Sequence, residues 1–310
     1  MLARRQQLLL KLLDALGGKV AKLDFQKLLL IYTLQFETSP SYEFVPYSYG
    51  CFSFNSYADK RRLIQKGLLT DEEDTWHLAD AGRIACGDFR ELGNSLERFR
   101  ANYGTIRGDQ LIGLTYRCYP YFAIRSQILR RILPDAADRE RVRAARPPRR
   151  GPGLLTIGYE GKSLETYLNQ LLRNSVSVLC DIRRNPLSRK YGFSKSTLQN
   201  ACEGLGIRYE HLPELGIASH RRRDLSTADD YASLFTDYRR NDLPRERASL
   251  ERIVSWIRPA GGRVALTCFE FSARQCHRQC VAESVSTLLG SSFDVCHLEG
   301  ACQPSDYSLR

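Results

Sequence analysis

Leucines recur at helical spacing from Gln6 to Leu16, and Phe25, Leu28, Leu29 and Tyr32 form one stripe over Asp24 to Leu34. These patterns predict two amphipathic helices at the start of the chain. Between Tyr42 and Arg83 an aromatic-rich turn leads into a predicted helix, Ser56 to Lys66. Two short strands follow, Leu68 to Thr70 and Thr75 to Leu78, around the acidic tip Asp71 to Asp74. A helix followed by a two-stranded wing is the winged-helix pattern. After Gly153 the periodicity changes: short apolar runs alternate with helical stretches. The runs are LLTIGY (154–159), SVSVLCDIR (175–183), IRYEHLPELG (207–216), RVALTC (263–268) and FDVCHLEG (293–300). The helices between them include Leu164 to Leu172, with Ser163 as N-cap, and Lys195 to Gly204, with Ser194 as N-cap. This alternation predicts a three-layer α/β unit with a mainly parallel sheet.

The stretch Pro134 to Gly153 is poor in bulky apolar residues and rich in Arg, Pro and Gly, and it reads as an exposed linker. Three parts are therefore expected: a mostly α, winged-helix-like domain (1–133), an Arg/Pro-rich linker (134–153) and an α/β domain (154–310).

With 43% hydrophobic and 26% charged residues, the 310-residue chain has the balance of a soluble globular protein. No segment is long enough to span a membrane. The N-terminal leucines are interrupted by Lys11 and Asp14 and lack a small-residue cleavage site, so a helix is expected there and not a signal peptide. The ten cysteines form no evenly spaced framework, which points to reduced thiols and a cytoplasmic location. A formal charge of +11 points to a polyanionic partner, DNA before RNA. Arginine clusters carry much of that charge: Arg139 to Arg150, Arg183 with Arg184, and Arg221, Arg222 and Arg223.

In the first unit, FVPYSYGCFSF, the leucine-spaced helix after it and the QKGLL turn resemble the SocA-type antitoxin (Panacea) group over roughly residues 6 to 130. Cys51 stands where those relatives usually carry Pro. On this reading Lys60, Arg61, Arg62 and Lys66 face phosphates. In the second unit, TIGYEGKSLETYL, VLCDIRRNPLSRKYGFSKSTL, GIRYEHLPELG and CFEFSARQCHRQCVAE resemble successive motifs of the DUF488 family over Leu154 to about Leu298. The resemblance implies a three-layer α/β fold and a candidate site, with no established reaction. Its recurring elements fall on Tyr159, Glu160, Asp181, Arg183, Asn185, Pro186, Ser188, Glu214, Gly216, Cys268, Glu270, Cys276, His277, Arg278 and Glu283.

In a parallel sheet the strands' carboxyl ends share one edge, so Tyr159, Glu160, Asp181, Arg183, Glu214, Cys268 and Glu270 can share one crevice. Arg183 and Arg278 are expected to clamp an anion, aided by backbone N–H groups where a helix starts at Cys276. Glu160, Asp181, Glu214 and Glu270 are the candidate acids and bases. Cys276 beside His277 is a weaker candidate nucleophile. Tyr159, Asn185, Ser188, Arg189 and Cys268 complete the substrate-binding set. Arg189, Lys190, Tyr191 and Phe193 read either as a mobile lid or as a loop packed on the sheet. Arg184, Lys190 and Arg221 to Arg223 extend a basic rim for nucleic acid. A zinc site built from Cys276, Cys280, His277, Cys268 or Cys296 is conceivable, but without a CxxC pair no metal and no cofactor are expected.

The expected function is that of a nucleic-acid-directed enzyme, with base excision of the N-glycosidase kind preferred to phosphodiester hydrolysis. A non-enzymatic DNA-binding regulator or nucleotide sensor is the alternative.

Overall fold

The computed structural model describes residues 2–86, 93–222, 227–290 and 293–300. The chain forms two compact units that divide between Arg146 and Pro147.

The first unit begins with α1 (Arg4–Ala15), β1 (Lys19–Ala21) and α2 (Lys22–Gln35). A hairpin of β2 (Val45–Tyr47) and β3 (Gly50–Phe52) leads to α3 (Phe54–Gln65) and then β4 (Thr75–His77). Helices α4 (Asp80–Cys86), α5 (Gly93–Tyr103), α6 (Gly108–Cys118), α7 (Leu129–Ile132) and α8 (Ala136–Ala144) complete it. Strand β1 pairs antiparallel with β4; of the two short strands expected after α3, Thr75–His77 forms one, and Leu68 to Thr70 contributes only an isolated bridge between Leu69 and Leu78. Leucines 8, 9, 12 and 13 of α1 and Phe25, Leu28 and Leu29 of α2 enter one core with Leu63 and Trp76.

The expected linker is shorter than its composition suggested. Helix α8 lies inside it, capped by the Asp135 carboxylate, which accepts from the Ala137 amide at 2.8 Å. Val142 anchors α8 in the first core. One apolar side chain among arginines suffices once the cap and the Arg117–Asp138 ion pair fix the helix.

The second unit runs β5 (Gly153–Gly158), α9 (Leu164–Arg173), β6 (Val178–Asp181), α10 (Lys195–Gly204) and β7 (Arg208–His211). It continues through α11 (Ala228–Asp237), α12 (Arg247–Ile257), β8 (Arg263–Cys268), α13 (Arg278–Leu289) and β9 (Val295–Leu298). The five strands are parallel, in the order β7-β6-β8-β5-β9. Every residue of β5 is buried, as the near-continuous apolar run of a strand covered on both faces requires. Helices flank the sheet on both sides. Val264 and Leu266 share a core with Ile253 of α12 and Val281 of α13. Thr267, pointing the other way, accepts a hydrogen bond from the Tyr167 hydroxyl of α9 at 2.8 Å.

This strand order creates a switch point. From β5 the chain crosses towards β6, and from the neighbouring β8 it crosses the opposite way to β9. A crevice therefore opens at the carboxyl ends of β5 and β8.

Candidate functional site

A cleft of about 620 Å³ occupies that switch point. Its floor and walls come from Glu160, just beyond β5, and from Phe269, Glu270, Arg274 and Gln275 beyond β8. Thr227, Tyr231, Ala232 and Phe235 of the α11 segment close one side. The Phe271 amide donates to Glu160 Oε2 at 2.8 Å, and the Glu160 amide donates to the Phe269 carbonyl at 2.9 Å. One backbone link and one backbone-to-carboxylate link thus hold the Glu160 turn against the loop that carries Glu270. Gly158 permits that approach, because a Cβ there would lie 1.8 Å from the Glu270 carbonyl oxygen.

Of the residues expected to share the crevice, Glu160 and Glu270 are the pair brought together. Asp181, Arg183 and Tyr159 lie beneath the surface as a closed polar hub. The Asp181 carboxylate is fully buried and accepts from Arg183 Nε at 2.8 Å, from its Nη2 at 2.5 Å, and from the Tyr209 hydroxyl at 2.6 Å. Arg183 Nη1 donates to the Tyr159 hydroxyl at 3.0 Å and to the Phe193 carbonyl at 2.8 Å. Asp181 holds the guanidinium pKa above its ordinary value although burial works against it. Burial first, and then the Asp181 charge, raises that of Tyr209. With its fork on Asp181 and its other face on Tyr159 and Phe193, Arg183 serves the architecture, contrary to the expected anion clamp.

Arg278 is also fully buried, and it turns towards backbone. Nη2 donates to the Phe271 carbonyl at 2.7 Å, and Nη1 donates to that of Glu270. It pairs with neither Asp181 nor Glu283, and Glu283 is engaged by Arg239 at 3.0 Å. Its work is to shape the loop behind the cleft. Glu214 accepts from the Ser249 hydroxyl at 2.5 Å and does not line the cleft.

The expected lid is packed down. Phe193 is fully buried and stacks on Tyr159 with centroids 4.4 Å apart, while Lys190 Nζ donates to the Tyr159 carbonyl at 2.9 Å. Ser194 does not cap α10 with its side chain; it accepts from the Ser188 amide and donates to the Ser188 carbonyl, each at 3.1 Å. Arg184, Asn185 and Arg189 are exposed on this loop. Arg221 is paired with Asp237 and Asp242, Arg222 ends the short turn Ser219–Arg222, and Arg223 lies outside the described residues.

Cys268, Cys276 and His277 gather in the interior. Cys276 is extended and precedes α13, so the helix begins two residues later than expected. Burial, then the hydrogen bond and charge of Cys268, then the charge of Glu270, push its thiol well above the ordinary range. A nucleophile needs the reverse.

In the first unit the predicted phosphate face also changes. Lys60 is buried; its ammonium donates to the Thr75 and Glu72 carbonyls at 2.7 and 3.1 Å and lies over the Trp76 ring. Arg62 pairs with Asp59 at 3.2 Å, whereas Arg61 and Lys66 are exposed. The acidic tip is partly neutralised, with Glu72 on Lys19 at 2.8 Å and Asp74 on Lys22 at 2.6 Å. A separate groove of about 570 Å³ is lined by Leu129, Arg130, Arg139, Arg143 and Arg146.

The motif order, the parallel sheet and the switch-point loops all point to one family signal in the second unit. Residues 163–285 match the family model of the domain of unknown function DUF488. The DUF488 match is narrower than the span read from the motifs: it covers Asp181, Glu214, Glu270 and the Cys276-His277-Arg278 run, and it begins after Tyr159 and Glu160. No curated protein and no solved structure matches the chain.

The residues missed from sequence are Tyr231, Phe235, Phe269, Arg274 and Gln275. For α11 a signal existed in the spacing of Tyr231, Phe235 and Tyr238, which marks a helical stripe.

Proposed function

We propose that the second unit is a hydrolase that cleaves the N-glycosidic bond of a nucleotide, and that the chain works on nucleic acid. The observation that carries this reading is the switch-point cleft, where Glu160 and Glu270 stand beside the aromatic rings of Tyr231, Phe235 and Phe269. Its volume suits a nucleotide-sized ligand. Aromatic rings offer a stacking surface to a base. Glu160, held by the Phe271 amide, faces the positive charge that develops on the sugar as the C1′–N bond breaks. Glu270 takes a proton from the water that adds to C1′, and that same proton passes on to the nitrogen of the departing base, which regenerates the carboxylate. Arg274 at the rim supplies a fork for a phosphate.

The nucleic-acid part of the proposal draws on the first unit. Its order of helix, strand, helix, and then a helix followed by a short strand that pairs back on β1, suits a winged-helix reading, with Arg61 of α3 and Lys66 at its C-cap exposed. The arginine-lined groove is a second favourable surface for a phosphate backbone.

The test incubates the full chain with nucleosides and with DNA and RNA oligonucleotides carrying plain and modified bases. Released base is measured by mass spectrometry and oligonucleotide binding by anisotropy. Release of free base that falls by about 10²-fold or more in Glu270→Gln supports the proposal. Binding without release from any substrate overturns it in favour of the sensor reading.

A further inference from the structure

We infer that Cys268, Cys276 and His277 form a buried binding site for one thiophilic divalent cation, zinc foremost. The three side chains come from the end of β8 and from the two residues before α13, and each is about 1% exposed. Both sulfurs lie 3.8 Å from His277 Nδ1, and the three donor atoms all lie within 4.8 Å of one another. A tetrahedral zinc ion, with bonds of about 2.3 Å to sulfur and 2.0–2.1 Å to nitrogen, separates sulfur from nitrogen by about 3.6 Å and sulfur from sulfur by about 3.8 Å. The sulfur-to-nitrogen sides are thus within a few tenths of an ångström of that geometry, and the sulfur-to-sulfur side, bounded by 4.8 Å, closes by at most about 1 Å.

The imidazole is oriented for the task. Its Nε2 lies 3.2 Å from the Ile182 carbonyl oxygen, so the Nε2–H tautomer donates there and turns the Nδ1 lone pair towards the sulfurs. That nitrogen has one in-plane lone pair, yet two sulfurs approach it equally. A shared ion accounts for both approaches, because each donor then points to a common centre and none competes for another. The ion displaces the protons of both thiols, which are released to solvent as it binds, and the two thiolates then balance the dication, so the ligated centre is neutral and its burial avoids the penalty of an isolated charge. Sulfur and imidazole donors at tetrahedral spacing select zinc among the abundant divalent ions. A fourth position is left to water.

This site does not depend on the chemistry proposed for the cleft. It explains the positions of Cys268, Cys276 and His277 whether or not Glu160 and Glu270 act on a glycosidic bond.

The experiment uses the full chain with the exposed Cys118 and Cys296 replaced by Ser, kept reduced with a phosphine and stripped of metal by a chelator. Co2+ is titrated in without oxygen. Thiolate-to-cobalt charge-transfer bands and intense tetrahedral d–d bands are expected to saturate at a single equivalent and to vanish on adding Zn2+. In Cys268→Ser or Cys276→Ser the charge-transfer band falls to about half, and in the double variant it disappears. As a check that needs no variant in the trio, Zn2+ should slow alkylation of Cys268 and Cys276 while leaving the buried Cys180 and Cys202 unchanged. Absence of the bands in the folded chain overturns the inference. So does their persistence in the double variant, or recovery of a Cys268–Cys276 disulfide from protein isolated with its thiols blocked.

Discussion

Asp181→Asn removes one charge from the buried hub while preserving its shape. Arg183 is only 6% exposed and keeps its bonds to the Tyr159 hydroxyl and the Phe193 carbonyl, but its guanidinium loses the only carboxylate it touches among the described residues. The Tyr209 hydroxyl can still donate to the new amide oxygen. Almost the whole effect is therefore that of an uncompensated buried cation, about 3–5 kcal/mol when one partner of such a pair is removed. Against a domain stability of about 5–15 kcal/mol, that is a large fraction. Arg183→Met should cost a similar amount, and the double variant no more than either alone, because one interaction is removed in all three. The chain has two tryptophans, Trp76 in the first unit and Trp256 in the second. Urea titration followed by Trp256 fluorescence in a Trp76→Phe background thus reports the second unit, provided the slopes of the variants agree. A loss below about 1 kcal/mol for Asp181→Asn would place the pair with surface ion pairs and refute its role as a structural hub. So would a double variant whose loss equals the sum of the singles to within about 0.5 kcal/mol.

Lys27 is buried with its ammonium 2.6 Å from the Tyr49 carbonyl, and burial lowers its pKa from the ordinary 10.5. Between the lowered folded value and 10.5 the unfolded chain binds the extra proton, so stability rises with pH across that window and is lost as pH falls through the folded value. Lys27→Met should abolish this slope in urea titrations of the first unit at successive pH values. Gly158→Ala puts a Cβ 1.8 Å from the Glu270 carbonyl oxygen; displacement of that loop should cost the second unit about 1–3 kcal/mol and lower base release. If release and stability are unchanged, the backbone approach does not shape the cleft. Replacing Arg130 and Arg146 by Gln should reduce the salt dependence of oligonucleotide binding, by about one unit of slope for each phosphate that is no longer neutralised. The buried Lys60, changed to Met, should leave that slope as it is.

The sheet was legible because its strands are apolar runs buried on both faces, and Val264 to Leu266 has no other use than a central strand. Helix α8 was hidden because arginines surround its one core residue, Val142, and composition counts residues where a fold weighs position. The site was half legible. Glu160 and Glu270 sit at strand ends, and strand ends follow from periodicity. What periodicity does not carry is the direction in which a long side chain turns after its strand stops. Arg183 and Arg278 are the residue types an anion site uses, yet each turns inward, one to Asp181 and the other to the carbonyls of Glu270 and Phe271. Lys60 is a similar case, since its stem reaches across Trp76 to two carbonyls. The wall formed by α11 lies far in sequence from the strand ends, and only the tertiary fold brings Tyr231 to Phe269.

Strand β5 lies between β8 and β9, and it precedes the matched span 163–285. A fragment trimmed to that span would retain β7, β6 and β8 and would leave one side of β8 without its ladder. Open hydrogen-bonding groups along an apolar strand recruit other chains, so such a fragment is a candidate for aggregation and would also lack Glu160. The stretch by which relatives are recognised is thus shorter than the stretch that can fold. Expression boundaries for this unit belong near Pro147 and beyond β9, where the sheet is whole.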